Sequence, residues 1–411
     1  MIDESVQDRQ LDGQVADSWV GRTLELEVGA VAHGGHCVAR AEGRVVFVRH
    51  ALPGELVRAQ VNEDKHGSFC RADAIEVLSA VPERVRPPCE LAVPGGCGGC
   101  DWQHATPEFQ RELKGRVVAE QLFRLAGIER QIEVEALPGG SLNWRSRVRL
   151  VAGADGRAGF RAHRSHRVIP VQSCPISVPG AVETAVSRRW RPGAQVEVTS
   201  DGEGRGHLRE LTVVHRQRRA RQLEGGLAFQ HAAGRDWRLD AHGFWQGHPA
   251  AADALANAVA AWSQAPLGGT VWDLYAGVGL FASVLANQVG TQGSVLAVES
   301  QKRAVADGEG NLADLPQVHW RRGRVERLLA SVTERPDVVV LDPPRKGAGR
   351  TVVDAIAHSA APRVVYVACD PAALARDVAT FVGHGYQLDG LRAFDAFPMT
   401  QHMECVALLT R

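Results

Sequence analysis

Four near-continuous apolar runs in the C-terminal third constrain this chain more than any other feature: Thr270-Val271-Trp272-Asp273-Leu274, Ser294 to Val298, Asp337 to Leu341 and Val364 to Ala368. Strand-length runs with no polar alternation are buried on both faces, as in parallel sheets covered by helices. Breaks such as Pro266-Leu267-Gly268-Gly269 and helix-length segments such as Ala250 to Trp262 separate them, which predicts an α/β sheet. Beyond the first run comes a glycine turn, Gly277-Val278-Gly279, and the other three lead into Glu299, Asp342 and Cys369. Open α/β sheets place ligands outside the carboxyl ends of their strands, so these groups are expected to share one crevice. A cysteine at a strand end is more often a small buried hydrophobe than a catalyst, so its neighbours must decide.

The 411 residues suggest two or three domains at about 150 residues each. No stretch of about 18 uninterrupted apolar residues occurs, and the acidic start (Asp3, Glu4, Asp8) is unlike a secretory signal, so a soluble cytoplasmic protein with no membrane partner is expected. Lys+Arg and Asp+Glu are equal at 47 each, so any RNA-binding surface must be local. Lysine occurs only at Lys65, Lys114, Lys302 and Lys346; nearly all the positive charge is arginine, which suits phosphate contacts and base stacking.

Residues 16–80 read as a small β-barrel, with strand patterns at Thr23 to Val28 and Val45 to Val48 and turns at Gly34-Gly35 and Pro53-Gly54. Arg44, Arg49, His50, Arg58, Lys65, His66 and Arg71 form either a nucleic-acid face or an ordinary solvated surface. Pro82, Pro87 and Pro88 make a stiff linker into a central segment, 81–240. There Cys89, Cys97-Gly98-Gly99-Cys100 and Cys174 carry metal-ligand spacing, and spacing alone does not separate zinc from iron–sulfur. Cys37, Cys70 and Cys405 read as buried thiols. An amphipathic helix is predicted over Glu108 to Leu125, ended by Gly127. Arg145, Arg147 and Arg149 alternate with Val148 and Leu150 beside Trp144, and Arg161, His163, Arg164, His166 and Arg167 extend a basic patch suited to single-stranded RNA. Arg216, Arg218, Arg219 and Arg221 read as a loop.

Together, Asp342-Pro343-Pro344-Arg345-Lys346-Gly347, Cys369-Asp370-Pro371 and Phe397-Pro398 through Glu404 resemble the uridine-C5 RNA methyltransferase family over nearly the whole chain. The resemblance implies an N-terminal TRAM barrel of the OB type, a central cluster-bearing domain and a Rossmann-like class I methyltransferase domain over 241–411. It implies S-adenosylmethionine and a 4Fe-4S cluster as cofactors and ribosomal or transfer RNA as partner, with a monomer expected. By resemblance Cys369 is the nucleophile and Glu404 the general base. Gln246, Tyr275, Gly277, Gly279, Glu299 and Asp342 contact the cofactor, while Cys89, Cys97, Cys100 and Cys174 ligate the cluster. Arg145, Arg147 and Arg161 are the RNA-binding candidates, and the helix after Cys-Gly-Gly-Cys packs on the methyltransferase domain.

The chain departs from the family pattern at Leu280, where asparagine is frequent, and at Asp370, also frequently asparagine. Its first cysteine gap is long, and Arg322-Gly323-Arg324-Val325-Glu326 lacks a clear adenine-holding Asp or Asn. Uracil C5 is a poor nucleophile, so thiolate addition at C6 is needed before C5 can take a methyl group, and a base must then remove the C5 proton. Two other readings are a non-catalytic metal-containing RNA-binding protein and a methyltransferase acting on an exocyclic amine. The second usually has an aromatic residue after Asp-Pro-Pro, where this chain has Arg345.

Overall fold

The computed structural model describes residues 18–214 and 217–411; the acidic start and Arg216 lie outside them. They form two compact units, one of residues up to Ala32 with His36–Pro82, the other of His33–Gly35 with Glu83–Arg411.

The first unit is a five-stranded sheet of β1 (Thr23–Glu27), β2 (Cys37–Ala41), β3 (Arg44–Arg49), β4 (Leu56–Asp64) and β5 (Phe69–Ser79) in the order β1-β4-β5-β3-β2. Leu24 and Leu26 point inward from β1 between exposed neighbours, the alternation expected of a strand with one wet face. The basic face suggested by its arginines is largely a set of ion pairs: Arg44 with Asp64 at 2.8 Å, Arg58 with Glu76, and Lys65 and Arg71 each with Glu63 at 3.5 Å. Arg49 is buried.

The second unit opens with α1 (Pro107–Ala126), which begins at a Thr106 cap and Pro107 and ends at Gly127 in the left-handed conformation. A short strand, β6 (Val134–Ala136), follows. A six-stranded antiparallel sheet comes next, ordered β12-β11-β10-β7-β8-β9. Its strands are β7 (Arg147–Ala152), β8 (Ala158–Arg161), β9 (Val168–Pro170), β10 (Gln195–Ser200), β11 (Gly206–Val214) and β12 (Gln217–Glu224), with α2 (Ala181–Val186) between β9 and β10. The second arginine run, expected as a loop, therefore lies on β12 from Gln217 onward. A hairpin of β13 (Leu227–Ala232) and β14 (Arg235–Asp240) leads to α3 (Ala251–Ser263).

The last sheet alternates β15 (Thr270–Leu274), α4 (Leu280–Val289), β16 (Ser294–Glu299), α5 (Lys302–Asn311), β17 (Val318–Arg322), α6 (Val325–Leu328), β18 (Val338–Leu341), α7 (Arg350–His358), β19 (Arg363–Ala368) and α8 (Pro371–Gly383), then ends in the hairpin of β20 (Gln387–Asp395) and β21 (Glu404–Thr410). Its order is β17-β16-β15-β18-β19-β21-β20-β6, parallel from β17 to β19, with β21 antiparallel. Each central strand feeds two cores. Val338, Val340, Val365 and Val367 pack with α3 and α4, while Val339, Leu341, Val364 and Tyr366 pack with α1, α7 and α8. Coverage on both faces is why these strands read as unbroken apolar runs. Both α1 and β6 belong to this layer although they precede Ala241. Among the described residues no helix is long and apolar enough to cross a membrane.

Candidate active site

The groups expected to share a crevice lie at or just past the carboxyl ends of β15, β16, β18 and β19. Ala368 on β19 pairs with Cys405 on antiparallel β21, so Cys369 and Glu404, one step on, face each other across adjacent strands. Asp342 lies just past β18. The electrostatics reflect that proximity: burial pushes the Cys369 thiol up to about 12, Glu404 and Asp342 push the same way, and Arg345 pulls it down. Burial also drives the Glu404 carboxyl well above the carboxylate range, with Asp342 adding and Arg345 opposing, and burial raises Asp342 too. Burial therefore shifts all three acids toward their protonated forms, with Arg345 as the cation that opposes the shift at Cys369 and Glu404.

The surrounding loops are tied together. Asp370 caps α8 by accepting the Ala373 N–H at 2.8 Å, and Pro371 follows at the first helical position. Tyr366 on β19 donates to Asp377 on α8 at 2.6 Å, and both accept the Ala348 N–H, at 3.1 and 2.8 Å. That network joins the loop after Asp342-Pro343-Pro344 to the strand and helix flanking Cys369.

The glycine turn is built for close approach. Tyr275, Gly277 and Gly279 have φ of 64°, 57° and 92°. A side chain on Gly277 would meet nothing within 4 Å, whereas one on Gly279 would strike Leu312 at 2.8 Å. Gly277 faces open space and Gly279 faces the core. Glu299 braces the turn: one carboxylate oxygen accepts the Gly277 N–H at 3.1 Å, the other the Gln301 N–H at 2.7 Å. Under the turn lies Asp273, fully buried, with no hydrogen-bond partner for either carboxylate oxygen. Burial pushes it up to about 8, and Asp342 and Glu299 add to this. The Ala282 N–H at the start of α4 opposes the shift but falls short of hydrogen-bonding geometry. Asp273 was missed as a site residue, although a polar residue inside an otherwise apolar strand was its visible signal. Orphaned buried oxygens beside an open turn fit a cationic ligand such as S-adenosylmethionine. Gln246 is buried on the loop before α3. Glu326, in the unassigned segment, and Asp377 are the acids that act on Tyr275.

A family model described as tRNA (Uracil-5-)-methyltransferase matches residues 255–411, and a TRAM domain model matches residues 17–74. An uncharacterized RNA methyltransferase of Streptomyces coelicolor is 46% identical over 95% of this chain and 93% of its own length. The 23S rRNA (uracil(1939)-C(5))-methyltransferase RlmD of Halomonas elongata is 34% identical over 94% of this chain and 89% of its own. The chain belongs to the RNA uracil-C5 methyltransferase family. The tRNA (uracil-54, C5)-methyltransferase of Pyrococcus abyssi, solved with S-adenosyl-L-homocysteine, shares its fold at a TM-score of 0.70 and 21% identity, covering 93% of this chain and 99% of that one.

In this family member Cys89, Cys97, Cys100 and Cys174 are half-buried thiols, while Cys37, Cys70 and Cys405 are buried. Cys97 feels Cys174 and Cys89, and Cys100 feels Cys174 and Cys97, so the four thiols share a neighbourhood. Among the described residues no group of three or more His, Cys, Asp or Glu side chains stands at metal-holding distances. Gly98 is required where it is, because a side chain there would strike the His163 backbone at 2.6 Å.

The RNA-binding candidates separate. Arg161 is exposed, 3.4 Å from His166, in a cleft also lined by Arg157. Arg147 instead turns inward to the Gly243 carbonyl near Gln246, and Arg145 donates to the Arg147 carbonyl at 3.1 Å. Trp144, expected as a stacking platform, is 5% exposed, stacked on His248 and edge-on to Phe397, so packing against the methyltransferase loops removes it from an RNA face.

Proposed function

We propose that this methyltransferase modifies C5 of an unpaired uridine in ribosomal or transfer RNA through a covalent bond between Cys369 and C6. The observation that supports this most is that Cys369 directly follows Ala368, which pairs with Cys405, so Cys369 lies next to Glu404 across adjacent strands with Asp342 close by. The Cys369 thiolate adds to C6 and leaves C5 electron-rich. Bound S-adenosylmethionine supplies the electrophilic methyl group that C5 accepts. Glu404 as carboxylate then takes the C5 proton, and the freed electron pair restores the 5,6 double bond as the thiolate leaves. Tyr275, Gly277, Gly279, Glu299, Gln246 and Asp342 hold the methyl donor, and Asp273 supports it from below. The target base must leave its stack to reach Cys369, which is cheapest in a single-stranded loop.

RNA substituted with 5-fluorouridine tests the reading, because fluorine at C5 cannot be removed as a proton. A complex stable to denaturant is expected with wild-type protein and none with Cys369→Ala. Absence of the complex with the wild type sinks covalent catalysis and favours the exocyclic-amine reading. Ribosomal 23S RNA is the first substrate to try, given the Halomonas relative.

Cys89, Cys97, Cys100 and Cys174 supply the four thiolates a 4Fe-4S cluster requires, and their shared neighbourhood supports that assignment. The cluster takes no part in the steps above. Anaerobically purified protein should be brown with iron and sulfide; colourless protein with stoichiometric zinc overturns it.

A further inference from the structure

The turn that delivers Glu404 is held by groups the chemistry above does not use. Residues 396–403 join β20 to β21, and within them Met399 has φ 67°, a conformation a non-glycine residue keeps only where its surroundings impose it. Helix α1 supplies those surroundings. The Gln110 carboxamide is fully buried; its oxygen accepts the Met399 N–H at 2.8 Å, and its nitrogen donates to the carbonyls of Trp102 at 3.0 Å and Ala105 at 2.9 Å. One helical turn on, the buried Lys114 ammonium donates to Asp395 at 2.5 Å and to the Phe397 carbonyl at 3.1 Å. The Met399 carbonyl accepts the N–H groups of Asp101 and Trp102 at 2.9 and 3.1 Å, and the Asp101 carboxylate accepts the Gln401 N–H at 3.1 Å. The start of the turn is thereby fastened to α1, its middle to both α1 and the segment that follows Cys100, and its far end to Asp101 of that segment.

We propose that Gln110 and Lys114 are positioning residues for Glu404, fixing the backbone that aims its carboxyl at the C5 proton; this rests on Glu404 being the base. A buried ion pair is a poor device for stability alone, since apolar residues of similar volume do as well or better. What directed polar contacts add is a single backbone path for a strained turn. Val118 and Leu122, further along the same helix, already provide the apolar anchorage.

The proposal predicts a defect confined to the last chemical step. The full-length protein is assayed with tritiated S-adenosylmethionine and total RNA from a strain lacking the gene, which carries the substrate unmethylated. Gln110→Leu and the charge-free pair Lys114→Met with Asp395→Asn should lower kcat roughly tenfold or more, as expected when a general base is displaced. Cofactor affinity should be unchanged, and a tritiated protein–RNA adduct should accumulate, because the methyl group has moved but elimination stalls. Unchanged kcat, a slow reaction without adduct, or loss of cofactor binding in both variants overturns the proposal. Glu404→Gln runs alongside. Normal turnover there removes the base assignment itself, whereas adduct there and none in Gln110→Leu overturns the positioning role alone.

Discussion

The proposed chemistry asks for a thiolate at Cys369, yet burial and three neighbouring carboxyls, of Glu404, Asp342 and Asp370, favour the thiol, and Arg345 is the cation that opposes them. Removing that cation must raise the thiol pKa further. Arg345→Gln is therefore expected to move the pH profile of Cys369 alkylation by iodoacetamide to higher pH, read by mass spectrometry; a profile unmoved or shifted down refutes the role of Arg345. Asp273 gives a second test, in stability. Its folded pKa of about 8 stands above the ordinary 3.8, so the folded protein keeps a proton that the unfolded chain releases. That contribution is complete below the unfolded value and is lost as pH rises toward the folded one. Asp273→Asn, neutral at every pH, should gain on the wild type by a few degrees in melting temperature between pH 5 and pH 8. A constant difference across that range contradicts the assignment.

At the scale of elements, Tyr366 is the hinge pin between β19, α8 and the Asp-Pro-Pro loop. Tyr366→Phe leaves Asp377 and the Ala348 N–H each one buried partner short, which should cost about 1–3 kcal/mol. A lowered urea midpoint measures this, and slower methyl transfer should accompany it because the loop carries Asp342 and Arg345. The elements that the sequence made legible are those buried on both faces. β15, β16, β18 and β19 each declare themselves by apolar runs, and the turn or polar group that follows each run marks the candidate site. Edge strands do not declare themselves: β17 is half-exposed, with burial only at alternate positions, and β6 has three residues. Gly127 was readable as the end of α1 from the sequence alone. Gln110 and Lys114 were not, since their partners lie 289 and 281 residues away and no local period marks a buried polar pair on an amphipathic helix.

At the scale of the whole molecule, equal numbers of acidic and basic residues remove long-range attraction for RNA. Many basic residues of the barrel and central sheet are spent on ion pairs, such as Arg44 with Asp64 and Arg209 with Glu197. Affinity must then come from a few local phosphate contacts and, on the proposed mechanism, from base capture at Cys369. Each phosphate contact contributes a little under one unit to the slope of log K against log salt for a single strand. The slope for a Cys369→Ala protein, which binds without bonding covalently, should therefore be shallow, about −3 or less steep. Arg161→Ala should reduce it by roughly one unit, as expected of a phosphate contact, while Arg147→Ala should leave the slope alone and act on stability through the loop at Gly243. Filter binding across a salt series decides this: a steep slope, or equal slope changes in the two variants, shows that the RNA track runs elsewhere on the surface.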